Sequence, residues 1–186
     1  MSQKITFVIQ GQFYSNKNKQ NTASLAVSIR KYFPESKIIF STWLGESMDS
    51  NLYDEILYSE DPGGVVAIDS SKTLNNVNRQ ITSTKNGLLR VKTEYAVKVR
   101  SDLIFKNNNL LLMLEDLPIK NHLNAYDILD NYVIVSNVTS INPKSFLVLP
   151  HHPCDWFYAG FTQDLLKIWD IPAMPMEWFR YFDKNE

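Results

Sequence analysis

Apolar residues first gather at Ile5, Phe7, Val8 and Ile9, a run of branched and aromatic side chains that ends at Gln10-Gly11-Gln12. Such a run, closed by a glycine turn, predicts a buried strand over Ile5–Ile9. Residues 16–20 are polar and basic, which predicts an exposed loop. From Asn21 or Thr22, either of which suits an N-cap, the period lengthens. Leu25, Ile29 and Phe33 recur at every fourth position, and Ala26 and Tyr32 widen the stripe. Pro34 ends that helix, and Lys37–Trp43 reads as a second apolar strand. The chain therefore opens strand–helix–strand, the unit from which parallel sheets are built.

The pattern continues with a weaker strand over Tyr53–Tyr58 and a loop at Ser59-Glu60-Asp61-Pro62-Gly63-Gly64. Val77, Ile81, Thr84, Leu88 and Val91 keep helical spacing and predict a long helix over Asn76–Lys92. Tyr95–Val99 reads as a central strand running into Arg100-Ser101-Asp102. Asn107–Asn109 caps a short leucine-rich helix that ends near Glu115. Asn131–Ser136 and Ser145–Leu149 are further strands, and Gly160–Trp169 is a last helix closed by Pro172. The alternation predicts one α/β domain with a mostly parallel sheet.

The chain has 186 residues, enough for one domain with a core of its own. A formal net charge of −1 supplies no basic field for a nucleic-acid backbone, so nucleic acid is not expected as a partner. Cys154 is the single cysteine, which rules out an intrachain disulfide and a thiolate metal cluster and fits a reducing compartment. The apolar part of the N-terminus is too short for a secretory signal, and no later run reaches membrane-spanning length. A cytoplasmic location is expected, with peripheral contact at the inner face of the membrane left open.

In open parallel sheets, ligands gather beyond the carboxyl ends of the strands. Three polar clusters fall there: Gln10-Gly11, Ser41-Thr42-Trp43 and Arg100-Ser101-Asp102. Asp102, at a strand tip, is placed to hold a hard cation, Mg²⁺ or Mn²⁺, together with substrate phosphates; the alternative is a carboxylate that caps a turn or pairs with Arg100. Arg79, Lys98 and Arg100 are cations that a diphosphate would attract. Arg79 lies near the start of its helix, where backbone amides also favour anions; otherwise it belongs to a solvated face. Lys98 sits within an apolar strand, so its charge must reach a rim or a partner. Trp43 either stacks on a base or packs the core. In His151-His152-Pro153-Cys154-Asp155-Trp156, Asp155 is the candidate base for a hydroxyl proton, or else it bonds to backbone amides. The adjacent histidines lack the ligand spacing of a zinc site.

Several segments, in order, resemble the WavE-type lipopolysaccharide synthesis family. They are Ile5-Thr6-Phe7-Val8-Ile9-Gln10-Gly11, Ser28–Pro34, Lys37–Trp43, Asn75-Asn76-Val77-Asn78-Arg79-Gln80, Lys98–Phe105, and Asp155-Trp156-Phe157 with Gly160. The resemblance implies a GT-A-like, Rossmann-type three-layer domain with a mostly parallel central sheet. It also implies a glycosyltransferase of surface-polysaccharide assembly. The donor would be a nucleotide-diphospho-sugar, and the acceptor a glycan or lipid-linked glycan of lipopolysaccharide or capsule. Residues 1–186 would form a single such domain, a fragment or a compact member of a family whose chains run longer.

By the same resemblance, Gln10, Gly11, Thr42, Trp43, Asn75, Arg79, Arg100 and Asp102 would bind the nucleotide-sugar. Asp102 would be the metal ligand and Asp155 the catalytic base. The chain departs from the wider pattern at Arg100, which stands where the first aspartate of an Asp-x-Asp motif is expected. That departure leaves a second reading open, a non-catalytic module that binds a nucleotide-sugar or a partner enzyme. A nucleotidyltransferase is a weaker third, because no glycine-rich loop with a following Arg and Lys comes after the first strand.

Overall fold

Strand β1 (Ile5–Gln10) is buried along its whole length, and its alternating side chains enter two different cores. Ile5, Phe7 and Ile9 pack with Leu25, Ala26 and Ile29 of helix α1 (Thr22–Tyr32) and with Leu110 and Leu114 of α3 (Asn109–Glu115). Val8 turns the other way, toward Leu88 of α2 (Val77–Leu88) and toward Leu165 and Trp169 of α4 (Thr162–Trp169). The result is a three-layer, Rossmann-like α/β domain with one sheet between two helical layers. The computed structural model describes residues 4–14, 21–66, 74–118, 120, 127–138, 140 and 153–175. The loop at 16–20, the strand expected over Ser145–Leu149 and the pair His151-His152 lie outside the described residues.

Among the described residues the main sheet has six strands in the order β3-β2-β1-β6-β8-β7. Strands β2 (Lys37–Trp43), β3 (Glu55–Ser59) and β6 (Tyr95–Arg100) run parallel with β1 as a block. Strand β8 (Phe157–Phe161) joins β6 in the antiparallel sense, and β7 (Ile134–Val135) pairs with β8, also antiparallel. A separate two-stranded ribbon pairs β4 (Val65–Val66) with β5 (Leu74–Asn75).

Helix α1 begins where Asn21 Oδ1 accepts the Ser24 amide at 2.7 Å, and it ends at Phe33, one residue before Pro34. Helix α2 is shorter than its periodicity suggested and stops at Leu88. It lies close on the sheet because Gly87 brings no side chain between the helix and Val8. The final helix begins at Thr162 rather than Gly160. Phe157–Phe161, expected in part as helix, is a strand, because the segment pairs residue for residue with Tyr95–Val99. Among the described residues no helix is long and apolar enough to cross a membrane.

Candidate functional site

The tips of β1, β2 and β6 open on one cleft of about 560 Å³. Strand register sets Arg100 beside Gln10, and Gln10 beside Ser41. The chain leaves β1 through Gly11, whose φ of +114° favours glycine. The exit is fastened on both sides. The Gly11 amide donates to the Ser41 carbonyl at 3.1 Å, and the Ser101 amide donates to the Gln10 carbonyl at 3.1 Å. The Ser101 hydroxyl then donates to the carbonyl of Gln12 at 2.8 Å. The Phe13 amide donates to Glu46 Oε2 at 3.1 Å, which ties the β1 exit to the loop after β2.

Gln10, Gly11, Trp43, Arg79, Arg100 and Asp102 all line this cleft. Gln10 is buried, and its Oε1 accepts the Ser83 hydroxyl of α2 at 2.9 Å, so the carboxamide nitrogen is left as a donor beside the cleft. Trp43 shares the α2 face of the sheet with Ser41. Thr42 does not line the cleft; it is fully buried, and alternation along β2 turns it toward the α1 layer with Phe40. Asn75 is also absent from the lining, because its Oδ1 accepts the Val77 amide at 3.0 Å and shapes the start of α2. Its neighbour Asn76 lines the cleft instead. Asp155 stands outside the lining as well, on the segment that leads into β8.

Both guanidinium groups of the cleft are held by carboxylates. Arg79 Nε and Nη2 donate to Asp61 at 2.7 and 2.6 Å, and Nη1 donates to Asn76 Oδ1 at 2.9 Å. Arg100 Nε donates to Asp102 Oδ1 at 3.0 Å, and its Nη2 pairs with Oδ2 of the same carboxylate. The Arg100 guanidinium also lies 4.8 Å from the ring centre of Trp156, whose carbonyl accepts the Arg100 amide at 3.1 Å. A guanidinium carries five N–H groups. Among the described residues these bonds leave three on Arg100 and two on Arg79 for a ligand. The hydrogen bonds that Arg100 donates to Asp102, then the charge of that carboxylate, raise the Arg100 pKa; Asp61 does the same for Arg79 and is itself held below the usual carboxylate range by Arg79.

Asp61 and Asn76 were not among the residues expected in a site. The loop at 59–64 reads as turn chemistry, and nothing in its pattern shows that its aspartate meets a helix 18 residues further on. Asp102 pairs with Arg100. The bearing of this pairing on a cation is direct. The pair is neutral, so it offers little net attraction to an ion of either sign, and a ligand would meet it through hydrogen bonds to the remaining Arg100 N–H groups. Among the described residues no three His, Cys, Asp or Glu side chains come together as a cation site. Among the described residues, the donors do not make a site for Mg²⁺ or Mn²⁺ held by the protein alone.

Two guanidinium groups, a helix N-terminus, an indole and a carboxamide donor at strand tips form an arrangement that can grip an anion with an attached flat ring. No curated protein matches the chain. The model of the WavE lipopolysaccharide synthesis family matches residues 5–183, nearly the whole chain, and this protein belongs to that family.

Proposed function

We propose that the protein is a glycosyltransferase that takes a sugar from a nucleotide-diphospho-sugar and passes it to a growing lipopolysaccharide or capsule glycan. What supports this is the gathering of Gln10, Trp43, Arg79, Arg100 and the start of α2 in one cleft at the tips of parallel strands. The family's role in lipopolysaccharide synthesis supplies the glycan context.

The diphosphate lies between Arg79 and Arg100, with Trp43 against the base. The acceptor hydroxyl oxygen bonds to the anomeric carbon as the bond from that carbon to the diphosphate oxygen breaks. The electron pair stays on the departing nucleoside diphosphate, where the free N–H groups of both arginines receive the growing charge. Each charge-assisted hydrogen bond of this kind contributes about 1.5–3 kcal/mol. Asp61 and Asp102 hold the two guanidinium planes in place, so little reorganisation is needed as charge develops. The hydroxyl proton passes to Asp155 in an inverting transfer, the acceptor reaching it from outside the cleft lining.

That position of Asp155 favours the second reading, a module that binds a nucleotide-sugar without turnover. Calorimetry with UDP, GDP and CMP and their sugars, with and without Mn²⁺, tests the shared claim. Binding by at least one of them, weakened in Arg100→Ala, is expected. No binding across the panel overturns both readings. Transfer or hydrolysis of a nucleotide-sugar by the pure protein separates enzyme from module.

A further inference from the structure

Lys98 is fully buried in the middle of β6, yet among the described residues no carboxylate hydrogen-bonds to it. Its neighbours across the strands are Val8 and Tyr158. Its ammonium lies 4.7 Å from the ring centre of Trp169 and 5.8 Å from that of Tyr158, and it donates to the backbone carbonyl of Asp155. Methionine or leucine would fill the same space without the cost of desolvating a charge. Asp164, the other buried ion among the described residues, is accounted for by its neighbours, since it accepts the Asp130 amide at 2.7 Å and the Asn131 side chain at 2.9 Å. Lys98 has no such local account.

What Lys98 touches leads to the cleft. Asp155 is followed by Trp156, whose carbonyl accepts the Arg100 amide and whose ring covers the Arg100 guanidinium. Lys98 and Arg100 are two residues apart on one strand, so their side chains share a face. Together they hold the Asp155-Trp156 segment at consecutive points. We infer that Lys98 is a positioning residue of the anion site: its ammonium fastens the Asp155 carbonyl, and Trp156 is thereby held against Arg100.

The inference rests on the cleft being a nucleoside diphosphate site. The titratable or charged groups that act on Lys98 are Asp155 and Cys154 on the fastened segment and Arg100 on its own strand, with Tyr158 beside it on β8. The residues of the second core on the same face, Val8, Leu88, Leu165 and Trp169, do not titrate. Burial brings the Lys98 pKa down to about 7, so a modest rise in pH removes the charge that grips the carbonyl. An anion bound at Arg100 favours the ammonium form, and binding near neutral pH then takes up a proton.

The test is calorimetry of UDP and GDP, with and without Mn²⁺, at pH 6 to 9 and in two buffers of different ionisation enthalpy. The intact chain is compared with Lys98→Met and Lys98→Arg, each checked for folding by circular dichroism. The unsubstituted protein should bind more weakly as pH rises through neutrality and should take up a proton on binding. Lys98→Met should bind about 10-fold more weakly at pH 6, as expected when one hydrogen bond to a charged group is lost, and should keep only the pH dependence and proton uptake that the ligand's own terminal phosphate brings. Lys98→Arg should keep the tighter binding with only that ligand-derived pH dependence. Equal binding by Lys98→Met at every pH, or a loss that is the same at every pH, overturns the inference while leaving the nucleotide site standing. No binding of either nucleotide by the unsubstituted protein overturns the nucleotide site and the inference with it.

Discussion

Gly87 of α2 and Val8 of β1 are in such close contact that a methyl group on Gly87 would overlap the Val8 Cγ1 atom, and it would also lie 3.2 Å from Cβ of Ser41. The closeness fixes the height of α2 above the sheet, and with it the reach of Arg79 and Gln80 into the cleft. A Gly→Ala change in a helix normally adds up to about 1 kcal/mol of stability. Here overpacking against a β-branched side chain in a central strand should outweigh it. We expect Gly87→Ala to lose about 1–3 kcal/mol in urea unfolding. A stability equal to or above that of the parent would mean that the helix rides higher than described.

The Arg79–Asp61 bridge is bidentate but partly exposed, with side chains about 30% and 38% accessible. Exposed pairs of this kind contribute about 0–1 kcal/mol to folding. Arg79→Gln should therefore leave the unfolding midpoint almost unchanged. Its effect should appear in binding, with about a 10-fold loss of affinity for UDP or GDP, the scale of one charge-assisted hydrogen bond. Asp61→Asn keeps the shape and removes the competing charge, so it should bind at least as tightly as the parent. Calorimetry checks both, and a large stability loss with unchanged binding would assign Arg79 to the fold instead.

The layers and the cleft were legible in the sequence to the extent that they follow from periodicity. The run Ile5–Ile9, the stripe Leu25-Ile29-Phe33 and the strand ending at Arg100 place three tips on one rim. The same alternation also decides between neighbours, since Thr42 and Trp43 must point to opposite faces of β2 and only Trp43 can share the face of Gln10 and Ser41. Strand β8 was hidden because Phe157–Phe161 is short, holds Gly160 and runs directly into a helix, and its pairing with β6 is a long-range contact that no local pattern carries. Asp61 was hidden for the same reason. The need of Lys98 for a partner could be read from its place in an apolar strand, but a backbone carbonyl 57 residues away could not.

Tyr53 stacks on Phe40 with ring centres 5.1 Å apart, and its hydroxyl is buried with no hydrogen-bond partner among the described residues. Burial, reinforced by the charge of Asp49, pushes its pKa up to about 12. An unpaired buried hydroxyl costs about 1–3 kcal/mol. Tyr53→Phe keeps the stacked ring and removes that atom. It should leave the protein as stable as before or raise its stability by about 1 kcal/mol. Thermal unfolding gives the answer, and a clear loss would reveal an ordered water or another partner at the hydroxyl.

Lys98 also sets a pH dependence of folding that needs no ligand to observe. Its pKa falls from 10.5 to about 7 on folding, first because of burial, with Asp155 opposing that fall. Below the folded value both states are charged, and the native state bears the full cost of the buried ammonium. As pH rises from about 7 toward 10.5, the native side chain is neutral while the unfolded one still holds its proton. The unfolded state then binds more protons, so stability rises with pH, by up to about 1.4 kcal/mol per pH unit. Other groups contribute their own slopes, but these cancel when the intact chain is compared with Lys98→Met. The methionine variant should be the more stable at pH 6, and its advantage should shrink by about 2 kcal/mol between pH 6.5 and pH 8.5. Urea unfolding of both proteins across that range measures the difference directly. A difference that stays constant with pH would show that Lys98 keeps its charge throughout, and that the two aromatic faces and the Asp155 carbonyl fully offset its burial.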